Sequence, residues 1–210
     1  LTFTQDFRFT NPSDKPVALS EHTSLQWQAG MFFFYNDYEQ SLANTSDSGF
    51  IPVAETFTKA EQEDFGMGFY GQGTFTFGKK LELLTGLRLD LESKDIEART
   101  ETIPGGIARV DASRSFAALS PQVALSYRFK PDIMGYLSFA GGYKAGGFNA
   151  VGPEEYEEER TWNYELGIKG QAFKNRLAYT IAVFCTQWQD MQLSQPTGAG
   201  AFFLDNAGDA

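Results

Sequence analysis

The chain has 210 residues, of which 42% are hydrophobic and 21% are charged, a balance typical of a folded protein rather than a disordered one. Its net charge of −10 argues against sequence-independent nucleic-acid binding, which needs a basic surface to displace counterions from phosphates. A single cysteine, Cys185, excludes an intrachain disulfide, and a single histidine, His22, excludes a metal site built from several Cys and His ligands. The 20 Phe, 9 Tyr and 21 Gly favour β-structure.

Alternating apolar and polar residues predict eight long strands along the chain. In the fourth, leucines occupy every odd position from Leu81 to Leu91 except Thr85, whereas Glu82, Arg88 and Asp90 lie opposite. No apolar run is long enough for a membrane helix, so any membrane contact would be made by strands. The eight segments are LTFTQDFRF, LQWQAGMFFFY, GMGFYGQGTFTF, LELLTGLRLDLESKD, FAALSPQVALSYRF, IMGYLSFAGGYK, TWNYELGIKGQA and LAYTIAVFCTQWQDMQL.

The connections between these segments alternate in length. If neighbouring strands are antiparallel, the short turns lie at one end of the sheet and the long loops at the other. Only the connection at 10–24 is longer than this pattern requires. The short turns are 78–80, 130–132 and 173–176, and the long loops are 36–64, 95–113, 145–160 and 190–200.

Two environments fit such alternation: the core of a soluble β-sandwich or small barrel, and the lipid around a transmembrane barrel. The asymmetric turns favour the second, as do alternating runs of roughly 10–14 residues, because soluble strands usually have about 5 or 6. The leucine face is therefore expected to contact hydrocarbon. The sheet must close, or belong to a larger closed sheet, because unpaired backbone groups are costly in lipid. Aromatic residues near strand ends fit interface girdles: Phe33, Tyr35, Phe75, Phe77, Tyr127, Phe129 and Trp162.

Several stretches resemble the barrel of the TonB-dependent outer-membrane receptors, which import siderophores, cobalamin, haem or glycans. The more specific ones are GYKAGGFN followed by YELGIK and F…NRL, and their order and spacing cover nearly the whole chain. The other matching stretches are TQDFRFTN, LQWQAGMFFF, FYGQGTFTF, LTGLRLDLE, SPQVALSYRF and NAGDA.

The resemblance implies an all-β, antiparallel up-and-down transmembrane β-barrel. The family barrel has about 22 strands around a plug, so residues 1–210 would supply about eight strands and part of a ninth, without the plug domain or the C-terminal strand. The implied function is energised uptake of a siderophore or similar ligand across the bacterial outer membrane. The implied partners are outer-membrane lipid, the TonB complex acting through the absent plug, and a small molecule such as a ferric siderophore. The alternative is a self-contained small barrel with an anchoring, adhesion or structural role.

Two motifs in the 145–160 region are candidate sites. At its start, Tyr143, Lys144, Phe148 and Asn149 are candidate ligand-binding residues, although the same residues also fit strand-end structure. The acidic run PEEYEEER at 153–160 is predicted to be a solvated loop that repels anions, with a cation site as the alternative. Because the short turns are basic and the long loops acidic, we expect the short turns to face the periplasm and 145–160 to be exposed on the cell surface.

No catalytic constellation is recognisable, so we expect neither an enzyme nor a bound cofactor or metal. His22 lies in a polar turn, and no Ser/His/Asp set can be assembled around it. Cys185 lies on an alternating strand beside Ile181 and Val183, where a small apolar filler is expected rather than a reactive thiol. The glycine-rich segment at 66–73 lacks the Lys-Ser/Thr pair and the following helix of a phosphate-binding loop.

Overall fold

A computed structural model of the chain describes residues 1–46, 54–149, 155–174, 176–196 and 202–210. Within these residues it contains strands and no helix, which confirms the all-β prediction. No described segment therefore forms a helix that could cross a membrane. The strands are β1 (Thr2–Thr10), β2 (Val17–Ser20), β3 (Thr23–Ser46), β4 (Ala54–Phe77), β5 (Leu81–Ile103), β6 (Ile107–Lys130), β7 (Ile133–Lys144), β8 (Gly147–Phe148), β9 (Glu155–Tyr156), β10 (Glu159–Ala172), β11 (Leu177–Gln189), β12 (Gln192–Pro196) and β13 (Phe202–Asn206).

Eight of these strands form one antiparallel sheet in the order β1-β3-β4-β5-β6-β7-β10-β11, and the short β2 pairs with β3 beside this path. They are the eight strands predicted from the alternating segments. Chain order and sheet order agree, as the up-and-down prediction requires. Among the described residues β1 pairs only with β3 and β11 only with β10, so the sheet is open. This arrangement does not support a self-contained eight-stranded barrel, in which β1 and β11 would pair.

Two of the predicted long loops are wrong, because most of their residues belong to strands. β3 and β4 stay paired as far as Ser46 opposite Ala54. β5 and β6 stay paired as far as Glu101 opposite Ile107, and the described turn between them is short. The hairpins therefore replace most of the loops predicted at 36–64 and 95–113, and β3 to β6 have 23 or 24 residues each. About 9–11 residues would cross a bilayer, so these strands continue well beyond that length.

One face of the sheet carries a continuous apolar band. Residues directly opposite each other in antiparallel strands share a face, and one such row is apolar on every strand that it crosses. Phe65 and Phe77 mark the two ends of the band on β4, about 40 Å apart along the strand, or about 30 Å with a barrel-like tilt. That height suits a bilayer core of about 30 Å. The row is Val17, Leu25, Phe75, Leu83, Leu125, Leu137, Leu166 and Val183.

The leucine-rich fourth segment has the predicted division of faces. Leu87, Leu89 and Leu91 are between 38% and 49% exposed on the surface of the sheet that carries the band, which we call the outer face. Arg88 and Asp90 lie on the opposite, inner face, where they form an ion pair. The division is confirmed, and contact of the leucines with lipid remains a prediction.

The last described segment begins to line up beside β11. β13 pairs with β12 in a separate hairpin. After it, Ala210 exchanges two backbone hydrogen bonds with Trp188 of β11, at 2.7 and 3.0 Å, and the Met191 N–H donates to the Gly208 carbonyl. The chain therefore returns to the free edge of β11.

Candidate functional site

The connection from β7 to β10 folds over the inner face of the sheet. β7 pairs with β6 only as far as Ala140 opposite Gln122, and beyond that point it pairs with β10 alone. The inner face of the β4–β6 extension is therefore left open to receive the connection. We take this covered inner surface, together with the connection, as the candidate site.

Phe148 anchors the connection to the inner face. It is 8% exposed and packs against Ala60 and Ile96, which are 4% and 2% exposed. The cluster is completed by partly buried side chains of the same face, most of them small, which leave room for the ring: Ala98, Val110 and Ala112. The result is a small hydrophobic core inside the curved sheet.

The glycines before Phe148 permit this close packing. A Cβ on Gly146 would lie 2.8 Å from the ring of Phe116, and one on Gly147 would lie 2.7 Å from the Tyr156 hydroxyl. Real Cβ atoms do not approach other atoms this closely. The AGGF sequence therefore serves the contact between the connection and the inner face.

The β12–β13 hairpin is hydrogen-bonded to the same connection. Asn149 Nδ2 donates to the Leu204 carbonyl at 2.8 Å, and the Leu204 N–H donates to Asn149 Oδ1 at 2.7 Å. Gln192 is 8% exposed, and its Nε2 donates to the carbonyls of Ala145 at 3.0 Å and Glu157 at 2.9 Å. These hydrogen bonds tie both described arms of the connection to one hairpin.

The four predicted ligand-binding residues fall into two groups. Phe148 and Asn149 have structural partners within the fold, which agrees with the strand-end interpretation of this stretch. Lys144 is exposed, and the Tyr143 hydroxyl is buried without a hydrogen-bond partner among the described residues. Ligand contact by any of the four remains a prediction.

The expectation that 145–160 forms an exposed surface loop is wrong for its first residues. Ala145 is 9% exposed and Phe148 8%, and Phe148 packs against Ala60 and Ile96 of the inner face. The tip of the predicted loop, at 150–154, lies outside the described residues.

The described part of the acidic run, 155–160, forms ion pairs while the Glu155 and Glu157 side chains stay half exposed, so the solvated loop that repels anions stays a prediction. Arg114 on β6 forms an ion pair with Glu155 at 3.1 Å and another with Glu157. Glu158 pairs with Arg160 at 3.0 Å. Glu159 accepts hydrogen bonds from the Trp188 indole at 2.9 Å and from the Gln192 N–H at 2.8 Å. Across the described ranges, no group of three or more acidic, His or Cys side chains is arranged to hold a metal ion.

A polar network above the apolar band was missed by the sequence patterns. The Tyr38 hydroxyl donates to Gln62 Oε1, and Gln62 Nε2 donates to Asp64 Oδ1 at 3.0 Å. Burial first, and then the charge of Asp64, raises the pKa of Tyr38 to about 12 and also raises the pKa of Tyr156. These residues fell in predicted loops. The period-two pattern could have identified Tyr38, Gln62 and Asp64, because it continues along β3 and β4 beyond the apolar band.

The inner face at the level of the band is polar and lines a concavity of about 310 Å³. Tyr70 donates to Asp6 at 3.0 Å and accepts a hydrogen bond from Arg8 at 3.2 Å. On the next strand Arg88 Nε donates to Asp90 at 2.8 Å. A charged inner face opposite an apolar outer face is the division expected of a barrel with a wet or protein-filled lumen.

The remaining sequence features lie outside the candidate site. His22 is in the exposed turn between β2 and β3, and its carbonyl accepts the Gly78 N–H at 2.6 Å. Cys185 is exposed on β11. The glycine-rich segment at 66–73 is part of β4, with no helix after it among the described residues.

Together, these features define a class of protein: the wall of a large antiparallel barrel, apolar outside and polar inside, with one connection folded inward. The family model for the TonB dependent receptor-like β-barrel matches residues 2–210. The chain therefore belongs to the TonB-dependent receptor β-barrel family, whose members are outer-membrane proteins.

Named relatives share the fold and part of the sequence. The metal-pseudopaline receptor CntO of Pseudomonas aeruginosa is 23% identical over 139 residues, which are 66% of this chain and 19% of CntO. The crystal structure of the ferric yersiniabactin uptake receptor FyuA from Yersinia pestis matches 99% of this chain and 30% of FyuA, with a TM-score of 0.72 and 19% identity. The hemophore receptor HasR of Serratia marcescens matches 99% of this chain and 44% of HasR, with a TM-score of 0.55 and 13% identity. The chain spans less than half the length of each of these relatives.

Proposed function

We propose that the chain is part of the barrel wall, with inward and outward connections, of a TonB-dependent receptor for energised uptake of a siderophore or similar metal chelate. The receptor lies in the bacterial outer membrane, contacts its lipid and receives energy from the TonB complex through a plug domain. It transports its ligand and catalyses no reaction. The observation that carries the proposal is the combination of an outward apolar band, a polar inner face at the same level, and a connection folded inward onto the small core around Phe148. The names of CntO and FyuA support a metal chelate as the ligand class.

We propose two roles for the four predicted residues: direct contact with the ligand, and support of the connection that presents those contacts. Lys144 is exposed and forms no ion pair with any residue that the structure describes, so its ammonium is available to an anionic chelate. Tyr143 can supply a buried hydroxyl that has no hydrogen-bond partner among the described residues. Phe148 and Asn149 act by holding the connection in place.

Growth on iron supplied as a panel of ferric catecholates, hydroxamates and carboxylates tests the transport proposal in cells expressing the full-length receptor. At least one chelate should support growth that requires both the receptor and TonB. Lys144→Ala should weaken binding of that chelate, whereas Lys79→Ala in the opposite turn should leave it unchanged. Growth on none of the chelates would contradict the ligand class.

Labelling of intact cells with an impermeant thiol reagent tests the orientation of the wall. Gly106→Cys is suitable because a Cβ there meets no atom within 4 Å, and Lys79→Cys probes the opposite end. Both variants are made in a Cys185→Ser background. The cysteine at 106 should react and that at 79 should not, because the β5–β6 hairpin extends far beyond the apolar band, as extracellular loops do, whereas the turn at 79 lies at the edge of the band, as periplasmic turns do. Reaction at 79 alone would reverse the orientation.

A further inference from the structure

An apolar groove lies on the outer face, away from the candidate site. Its volume is about 470 Å³, and it crosses β6, β7, β10 and β11 near the short turns. No ionisable acidic or basic side chain lines it, and the tyrosines are its most polar members. The side chains used below are Tyr127, Phe129, Gly135, Leu166, Ile168 and Ile181.

The groove exists because Gly135 interrupts a row of large side chains. In the sheet register Gly135 lies between Tyr127 on β6 and Ile168 on β10, and Ile168 lies opposite Ile181. The Phe129 ring comes within 2.8 Å of the place that a Gly135 Cβ would occupy. The Tyr127 and Phe129 rings pack edge to face, with centroids 5.1 Å apart, and form one wall. The two isoleucines form the other wall.

The turns beside the groove carry unpaired positive charge. Lys130 follows Phe129 directly, and Lys174 and Arg176 lie in the exposed β10–β11 turn. None of the three forms an ion pair with any residue that the structure describes. The sequences of these two turns contain one carboxylate, Asp132. A negatively charged group is therefore favoured at this end of the groove.

We propose that the groove binds one acyl chain of an anionic phospholipid, whose headgroup phosphate pairs with Lys130 and with Lys174 or Arg176. Apolar walls accept the chain through burial of hydrocarbon, and basic side chains at a membrane surface attract anionic headgroups. The lipid belongs to the leaflet on the short-turn side. Its assignment to the periplasmic leaflet rests on the orientation given under the proposed function.

The test uses the full-length receptor, delipidated in detergent and titrated with phosphatidylglycerol or phosphatidylethanolamine of identical acyl chains, with native mass spectrometry as the readout. The wild type should bind one phosphatidylglycerol in preference to phosphatidylethanolamine. Lys130→Gln should weaken phosphatidylglycerol binding about fivefold and leave phosphatidylethanolamine binding unchanged. Gly135→Leu, which fills the groove, should remove the tight site for both lipids.

Gly71→Leu is the matched control, because Gly71 is also on the outer face and a Cβ there meets no atom within 4 Å. It should bind both lipids like the wild type. Equal affinities of the Gly135→Leu and Gly71→Leu variants, or no headgroup preference in the wild type, would overturn the proposal. If Gly135→Leu does not fold, as judged by heat-modifiable gel mobility, the Lys130→Gln result decides. The measurement needs no siderophore, so a wild-type receptor that takes up the chelate but has no preferred phosphatidylglycerol site would refute this inference alone.

Discussion

The two halves of the long strands β3 to β6 have opposite polarity on the same faces. In the half near the short turns the outer positions are apolar, and in the other half they are charged. On β5 the outer residues change from Leu87, Leu89 and Leu91 to Asp95, Glu97 and Arg99. The inner residues change the other way, from Arg88 and Asp90 to Ile96 and Ala98.

The backbone does not cause this reversal. The registers of β4 with β5 and of β5 with β6 run through it without a shift, so every side chain keeps its face. What changes is the environment that each face meets. We infer that the outer face passes from hydrocarbon to water, while the inner face passes from a polar lumen to the small core around Phe148. The reversal falls in a single row that crosses four strands: Asp37, Glu63, Asp95 and Ser113.

The outer face beyond that row is suited only to water. Four acidic residues lie directly opposite one another in one row, and three basic residues lie opposite one another in the next outer row. Like charges in such positions destabilise a sheet, and opposite charges in neighbouring rows offset this, as where Lys59 pairs with Glu39 at 3.3 Å and Glu61 at 2.7 Å. The acidic row is Glu39, Glu61, Glu97 and Asp111, and the basic row is Lys59, Arg99 and Arg109.

The largest effect is expected from removing the inner core of the upper half. Ile96→Ala should lower the free energy of unfolding of the full-length receptor by about 2–5 kcal/mol, because Ile96 is 2% exposed and leaves a cavity. Denaturant unfolding followed by tryptophan fluorescence measures the change. Glu97→Ala, one residue along and on the outer face, should cost about 0.5 kcal/mol or less. Similar costs for the two variants would show that the upper inner face is not packed.

The next effect tests the lower half, where the outer face should meet lipid. Leu87→Arg should cost about 2–4 kcal/mol in bilayer vesicles if the residue lies near the midplane. Gly86→Ser, on the inner face, should be milder, because a Cβ there meets its nearest neighbours at an ordinary 3.6 Å. If both substitutions are tolerated equally, the outer face of the lower half does not contact hydrocarbon.

The same comparison explains which parts of the fold could be predicted from the sequence. In the lower half, lipid on one side and polar groups on the other give strict alternation, so all eight strands were found. In the upper half the apolar phase moves from odd to even positions near Glu92. A period-two pattern that is followed at the odd positions alone ends there. The sequence therefore predicts a loop for the charged residues that follow.

The candidate site was only partly predictable, because its contacts join residues that are distant in sequence. The glycines of AGGF permit a close approach of the backbone, but nothing local identifies the cluster around Ile96 as the surface approached. Asn149 finds its partner at Leu204, and Arg114 finds Glu155. These contacts form because β7 stops pairing with β6 after Ala140. That end of the pairing is a property of the sheet and not of any single segment.

A smaller effect is expected from removing the hydrogen bonds that join β12 to the connection between β7 and β10. Gln192→Ala should leave the carbonyls of Ala145 and Glu157 without their buried donor, at a cost of about 1–3 kcal/mol. The loss should be local, with faster hydrogen exchange at 145–149 than in the wild type. Ser194→Ala, at an exposed position of the same strand, should leave exchange unchanged. Unchanged exchange in Gln192→Ala would mean that the packing of Phe148 and the hydrogen bonds of Asn149 hold the connection without Gln192.

The smallest effect concerns the ionisation of Tyr38, which lies just beyond the polarity reversal. Burial raises the pKa of its phenol to about 12 in the folded protein, against about 10 for an unfolded tyrosine. The neutral phenol is therefore favoured by folding, so its contribution to stability is complete below pH of about 10 and is lost as the pH rises through about 12. Tyrosinate absorbance of the folded receptor should contain a component titrating near pH 12 that Tyr38→Phe removes. Tyr179→Phe, at a tyrosine of β11 in the lower half, should leave that component in place. Its persistence in Tyr38→Phe would mean that another tyrosine produces it, and would contradict the raised pKa of Tyr38.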